Sequence, residues 1–438
     1  MKKFSISMML IAMSFSTMST AEDLLQVYAL SLNSDPQLLA EAASKRATAE
    51  LDEQALANFL PQVDLSANNG RVKQDTSAQS FGGKQDYNSH GYSLSITQPV
   101  FRKQNFVQQV QADIAIESAE ASYQVKEQDL IIRVAEDYFD LLGEKDDLSF
   151  SVAEREAIAL QLEQTNQRFD VGMVTITDVA ESQAAFDLAN ASVIDAENEV
   201  ANSKERLRET SGRYIDDLAT LQIESPLVSP DPQDINQWTE LALTQNPSLS
   251  VVRSDIENAQ QNIALQKSDH YPSLDLVGQK SYSSQSDTSF GGSSKTHQDS
   301  ISLQFSLPIY SGGSVNSRSR EAGHRLDQAM QNEEQQRRAV KRQTREAYNS
   351  VMSGISRVKA LKQAVVSSEK ALESTEAGYE VGTRTTVDVL NVRRELFSAR
   401  RDYSRSRYDY IVNILRLKQA AGTVSVDDLT RINQWLGG

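Results

Sequence analysis

Two stretches about 210 residues apart carry the same turn, and together they decide what this chain can fold into. They are Arg168-Phe-Asp-Val-Gly-Met-Val-Thr-Ile-Thr-Asp-Val179 and Gly378-Tyr-Glu-Val-Gly-Thr-Arg-Thr-Thr-Val-Asp-Val-Leu-Asn391. Both read Val-Gly-x-x-Thr-x-x-Asp-Val, and both sit between long segments free of proline. Gly172 and Gly382 can take positive φ and so end an incoming helix. Thr175 and Thr385, each three residues before an aspartate (Asp178, Asp388), open the outgoing helix as capping boxes. Residues 168–179 and 378–391 are therefore expected as tight reversals between antiparallel helices, at one end of the molecule.

Other landmarks repeat at the same offset. Asp35-Pro36 matches Asn246-Pro247, Pro61-Gln-Val-Asp-Leu65 matches Pro272-Ser-Leu-Asp-Leu276, and Ser80-Phe-Gly-Gly83 matches Ser289-Phe-Gly-Gly292. Pro99 matches Pro308, and Tyr138 matches Tyr348. Landmarks in one order at one offset mark a tandem duplication. The halves are read as 22–229 and 230–431, with the break at Pro226, Pro230 and Pro232, and 432–438 as a short tail.

Each half is expected to follow one plan. Asp35 and Asn246 cap helices over about 36–59 and 247–270, with proline in the first helical position. Strands follow at about 62–76 and 90–101 in the first half, and at about 272–284 and 299–310 in the second. Polar Gly- and Ser-rich loops (77–89 and 283–298) join them. Long helices over 103–168 and 314–378 lead to the turns, and helices over 177–213 and 387–421 return. At 1.5 Å per residue the helix 103–168 is roughly 100 Å long and cannot stand without lateral partners. The two shorter helices of each half match it in length, so they are expected end to end beside it, with 214–235 crossing at the join.

The strands alternate. Tyr92, Leu94 and Ile96 share one face, as do Ile301, Leu303, Phe305 and Leu307; Ser93, Ser95, Thr97, Ser302, Gln304 and Ser306 share the other. An apolar face backed by a hydroxyl-rich one suits a transmembrane barrel, but four strands cannot close one, since about eight is the usual minimum. The expected fold class is an α+β membrane protein. A long coiled-coil barrel of helices forms a tunnel, and each chain gives four strands to a shared transmembrane β-barrel. The number of chains stays open at this point.

Composition narrows the function. Met-Lys-Lys, an apolar run from Phe4 to Phe15 and Ser19-Thr20-Ala21 read as a secretory signal peptide over 1–21, with the mature chain starting at Glu22. With no cysteine there are no disulfides, no thiolate metal site and no lipid-bearing N-terminal Cys. His90, His270, His297 and His324 lack ligand spacing, and no phosphate loop or nucleophile motif occurs, so neither an enzyme nor a cofactor is expected. The basic runs Arg337-Arg-Ala-Val-Lys-Arg342 and Arg400-Arg401 lack interleaved aromatics within a chain of net charge −16; solvated helix faces, not nucleic-acid contacts, are expected.

These residues resemble the TolC family of outer-membrane export channels. The resemblance is carried by Leu60-Pro-Gln, Gln98-Pro-Val-Phe101, Phe305-Ser-Leu-Pro-Ile-Tyr-Ser-Gly-Gly313, Arg168-Phe-Asp-Val-Gly172 with Ile176-Thr-Asp-Val179, and Gly382-Thr-Arg-Thr-Thr-Val-Asp-Val-Leu390. It implies a homotrimer in the Gram-negative outer membrane, extending into the periplasm, with a 12-stranded barrel over a 12-helix tunnel. It implies docking onto a periplasmic adaptor protein and an inner-membrane RND, ABC or MFS transporter, for drug efflux or type I secretion. In the family two acids one helical turn apart ring the tunnel entrance. Here Asp388 matches the first and Asn391 stands at the second, so three carboxylates per trimer are expected instead of six. The resemblance further implies gate links among Tyr379, Arg384, Gln167, Thr177 and Asp178. Adaptor contact is implied at Gly172, Val174, Gly382 and Thr383. On the residues alone, capping is a sufficient reason for Asp178 and Asp388, and helix termination for the two glycines. The competing reading is a periplasmic coiled-coil adaptor or spacer without a pore, which has no need of paired alternating strands in both halves.

Overall fold

A computed structural model describes residues 21–76, 83–222, 226–286 and 292–437. The expected signal peptide (all but Ala21) and Ser80-Phe81-Gly82 with its counterpart Ser289-Phe290-Gly291 lie outside these residues. In chain order the elements are α1 (Leu24–Ser34), α2 (Pro36–Ala57), β1 (Gln62–Thr76), β2 (Gly83–Arg102), α3 (Lys103–Asp170), α4 (Ile176–Ser211) and β3 (Thr220–Leu221). Then come α5 (Ile235–Gln245), α6 (Pro247–Ser268), β4 (Ser273–Gln285), β5 (Ser294–Ser306), α7 (Ser314–Glu380), α8 (Thr386–Ala420), α9 (Val426–Asn433) and β6 (Leu436–Gly437).

The long helices α3 and α7 run the length of the rod, and the gap between them is filled from both ends. On the strand side α6 packs between them; on the far side α8 does so. The outer flank of α3 is covered likewise by α2 and α4. The short helices meet end to end, as their lengths require. Ser34 Oγ donates to Ser211 O at 2.8 Å where α4 meets α2, and Asn246 Nδ2 donates to Ala420 O at 2.9 Å where α8 meets α6.

The largest core lies at this waist. Leu24 and Val27 of α1, Leu130, Val134, Ala135, Tyr138 and Leu141 of α3, Leu415 of α8 and Leu429 of α9 are wholly buried. The crossing segment is sewn in by phenols. Tyr138 Oη donates to Ala219 O at 2.8 Å, and Tyr410 Oη donates to Val228 O at 2.7 Å while accepting from Val228 N at 2.6 Å. Burial pushes the Tyr410 phenol up to about 12, so it acts as a neutral donor.

Three differences from the sequence reading have physical causes. First, α1 and α5 sit where no helix was expected. Asp35 closes α1 and caps α2, and Asn246 closes α5 and caps α6, so a visible start signal hides the helix before it. Second, the expected tail is structured. Leu436 and Gly437 pair with Leu221 and Thr220, which ties the chain's end to the crossing segment. Third, β2 starts at Gly83 instead of about 90, and β5 runs over 294–306 instead of 299–310. The ladder continues into stretches polar on both faces, where apolar alternation has nothing to report, and stops short of Pro308, which has no N–H to give.

The four long strands form one antiparallel sheet in the order β1-β2-β4-β5. The two halves of the repeat thus join through β2 and β4, and β1 and β5 are left as edges.

Candidate functional site

Two regions concern transport: the strand faces at one end of the rod and the hairpin tips at the other. Register places Val63 beside Ile96, Ile96 beside Gly278 and Gly278 beside Ile301, with Leu65 beside Leu94 and Leu276 beside Leu303. This face is bare: Ile301 is 84% exposed, Leu65 73% and Phe305 65%. From Val63, Ile96 and Ile301 down to Leu274 and Phe305 it is an apolar belt too extensive to face water. The opposite face carries Ser66, Ser93, Ser95, Ser281, Ser300 and Ser302 in matching rows. Among the described residues no helix is long and apolar enough to cross a membrane, so the sheet is the part able to do so.

Both tips end in the same hydrogen-bond pattern. Met173 N donates to Arg168 O and Gly172 N to Phe169 O; Thr383 N donates to Gly378 O and Gly382 N to Tyr379 O. This is the Schellman arrangement, and it needs the positive φ found at Gly172 (75°) and Gly382 (81°). Both capping boxes are formed. Asp178 Oδ2 accepts from Thr175 Oγ1 at 2.7 Å and Thr175 N at 2.8 Å, and Asp388 Oδ2 accepts from Thr385 N and Oγ1, each at 2.9 Å.

These bonds hold both carboxyls below the ordinary value of 3.8. For Asp178 the Thr175 hydroxyl contributes most, then the Thr175 N–H; for Asp388 the Thr385 N–H leads, then its hydroxyl, with a smaller share from Arg384. A depressed folded value stabilises fully above the ordinary carboxylate range and is lost as pH falls through the depressed value. Amide exchange at Thr175 and Thr385 should therefore show the same protection at neutral and mildly acidic pH, and lose it only in strong acid. Loss of protection already at about pH 5 would show that the caps do not hold the tips.

Asp388 and Asn391 lie one turn apart on α8. They are on the side away from the buried Val389 and Leu390, and Leu390 packs on Ile158, Ala185 and Ala189, which seats α8 on the α3/α4 hairpin. The expected gate residues are not brought together as one set within a chain. Tyr379 lies under the Arg168 guanidinium, 4.5 Å from ring centre, and accepts from Thr386 Oγ1 at 3.3 Å. Arg384 is exposed beside Gly378, Gln167 donates to Glu163 (3.4 Å) within its own helix, and Thr177 is exposed. Val174 is half-buried in its turn, and Thr383 Oγ1 donates to Gly378 O at 3.0 Å.

Sequence reasoning missed two residues that join the two hairpins and a third buried between them. Arg168 reaches Tyr379, and Arg393 donates to Ala157 O at 2.7 Å and to Glu376 at 2.5 Å. Gln161, 4% exposed, lines the cleft between the hairpins, and its buried amide nitrogen has no partner among the described residues. That cleft, about 420 Å³, is also lined by Gln167, Tyr379 and Glu380. The available signal for Arg168 was its place in the last turn of α3, where a cation also suits the helix dipole.

An open four-stranded sheet with an apolar outer face, set on a helical rod of this length, defines a channel protein of the outer membrane whose barrel is completed by other chains. The family described as Outer membrane efflux protein matches residues 27–213 and 238–423, and the chain belongs to it. It is 37% identical over 418 residues to Outer membrane protein TolC of Vibrio cholerae, covering 95% of this chain and 94% of that protein. It is 36% identical over 434 residues to TolC of Escherichia coli, covering 96% and 86%. To the alkaline protease secretion protein AprF of Pseudomonas aeruginosa it is 29% identical over 416 residues, covering 93% and 85%. The fold matches the crystal structure of the Campylobacter jejuni CmeC outer membrane channel with a TM-score of 0.78 at 16% identity, covering 95% of this chain and 90% of that one.

Proposed function

We propose that three copies of this chain close a 12-stranded barrel over a tunnel of helices. In this reading the tunnel is the exit duct of a tripartite efflux pump or a type I secretion system, opened at its tip by a periplasmic adaptor and an inner-membrane transporter. The observation that carries the reading is that the apolar-faced sheet, open at β1 and β5, leads through β2 into α3 and through β5 into α7, which deliver the chain to the two tip turns. Likeness to the TolC proteins supports the channel, and likeness to AprF, named for alkaline protease secretion, supports a protein cargo beside small molecules. Asp388 would narrow the entrance, with Asn391 adding no charge. Arg384, exposed and making no side-chain hydrogen bond or ion pair among the described residues, can reach Thr177 and Asp178 of a neighbouring copy. Gln167 and Tyr379 sit on the cleft that separates the hairpins, while Gly172, Val174, Gly382 and Thr383 form the surface an adaptor would meet.

Single-channel conductance in a planar bilayer tests this. Wild-type protein is expected to give a small, steady conductance. In Arg384→Ser three links are lost at about 1 kcal/mol or less apiece, so the open population should rise, by up to about a hundredfold. Conductance unchanged by the substitution would keep the duct and remove the Arg384 clasp. Folded, inserted protein with no conductance would favour the spacer without a pore.

A further inference from the structure

The outward face of the sheet changes character above its apolar belt. Pairing sets Ile96, Gly278 and Ile301 in one row, then Leu94, Lys280 and Asp299, then Tyr92, Tyr282 and His297, then His90, Ser284 and Lys295. Residues two apart on a strand share a face, so the last two rows stand on the same side as the belt, at the end away from the helices. Their rings form a cluster: Tyr282 lies 5.4 Å from Tyr92, 4.8 Å from His297 and 6.2 Å from His90, centre to centre. Lys280 Nζ is 3.4 Å from Asp299 Oδ2.

We propose that Lys280, Lys295, His90 and His297, grouped around Tyr282, hold the phosphate of an anionic lipid headgroup in the leaflet farther from the helices. The proposal rests on the sheet lying in the membrane and goes beyond transport. Height is the first argument. Tyrosine and histidine directly above an apolar belt mark the membrane–water boundary, which is where headgroup phosphates lie. Charge is the second. The chain as a whole carries −16, yet in these rows of β2, β4 and β5 two lysines and two histidines face one acid, Asp299. Reach is the third. Lys280 starts one row deeper than the rings and rests beside Asp299, and its stem is long enough to carry the ammonium up to the boundary. Lys295 is exposed and makes no ion pair among the described residues. Asp299 competes for Lys280 and should weaken the site.

The test is native mass spectrometry of the full-length assembly from micelles doped with equal amounts of phosphatidylglycerol and phosphatidylcholine. Wild-type protein should retain phosphatidylglycerol in preference. Lys295→Gln alone should lower that preference about fivefold, and Lys280→Gln with Lys295→Gln further. Asp299→Asn should raise it, a direction that misfolding cannot imitate. Equal retention of the two lipids by wild-type protein, or a preference unchanged by Lys295→Gln, would overturn the site.

Discussion

Gly422→Ala is expected to cost the chain about 3 kcal/mol or more and to leave little assembled channel, whereas Gly382→Ala costs about 1 kcal/mol. Both glycines hold positive φ in the same Schellman ending, at +76° and +81°. Their surroundings differ. A Cβ on Gly382 meets nothing within 4 Å, so only backbone strain is added. A Cβ on Gly422 would lie 2.5 Å from Gln245 O and 2.6 Å from Asn246 Cα, which are backbone atoms at the junction of α8 with α6. They cannot yield without parting the two helices. That would also break the bonds Asn246 and Thr344 make to Ala420 O, at 2.9 and 3.3 Å. Heat stability of the assembled channel, measured for both variants, checks this; equal losses would show that α6 and α8 do not depend on close approach.

The same junctions show how far the sequence could be read. Helix ends are set by local chemistry, so Asp35, Asn246, Thr175, Thr385 and the turn glycines announced themselves, and the repeat made each one count twice. The abutting of α4 on α2 and α8 on α6 followed from lengths alone. The three short helices did not. α9 starts at a capping box of Ser425 and Asp428, a signal present in the sequence but too brief to stand out beside rods of 67 and 68 residues.

At the site the limit was lateral register. Asp178 and Asp388 were legible as caps because both partners lie within three residues. Arg168 on Tyr379 and Arg393 on Ala157 depend on how α3 slides against α7 and α8, and no local signal fixes that offset. β1 and β4 were read to within a residue, whereas β2 and β5 were legible only where one face met lipid. Beyond the belt, polar residues on both faces left the ladder silent.

Arg405→Met is expected to be the most damaging change along the contact between α3 and α8, and its damage should depend on pH. Down this contact α8 sets cations against acids of α3. Arg401 meets Glu154 at 3.0 Å, Arg405 pairs with Glu144 and lies 3.8 Å from Asp147, and Arg416 meets Glu136 at 2.8 Å. Asp146 is also engaged, accepting from Ser404 and, at 2.8 Å, from Tyr408. Arg405 is thus the cation that Glu144 and Asp147 share, and their side chains are only 12% and 19% exposed. Burial already raises Asp147 above its ordinary value, with Glu144 and Asp146 adding to the rise and Arg405 and Arg401 opposing it. Removing Arg405 raises it further. Because Arg405 itself is half exposed, the cost at neutral pH should be about 1–3 kcal/mol, below that of breaking a fully buried pair. A raised folded value gives stability that is present below the unfolded carboxylate range and lost as pH rises through the folded value. The deficit of the variant should therefore be larger near pH 7 than near about pH 4, where the carboxyls take up protons, the opposite trend from the tip caps. Thermal unfolding of wild type and variant at both pH values decides it. A deficit equal at the two would mean that Arg405 acts through the packing of its aliphatic stem, and that its charge does not bind the α7/α8 hairpin to α3.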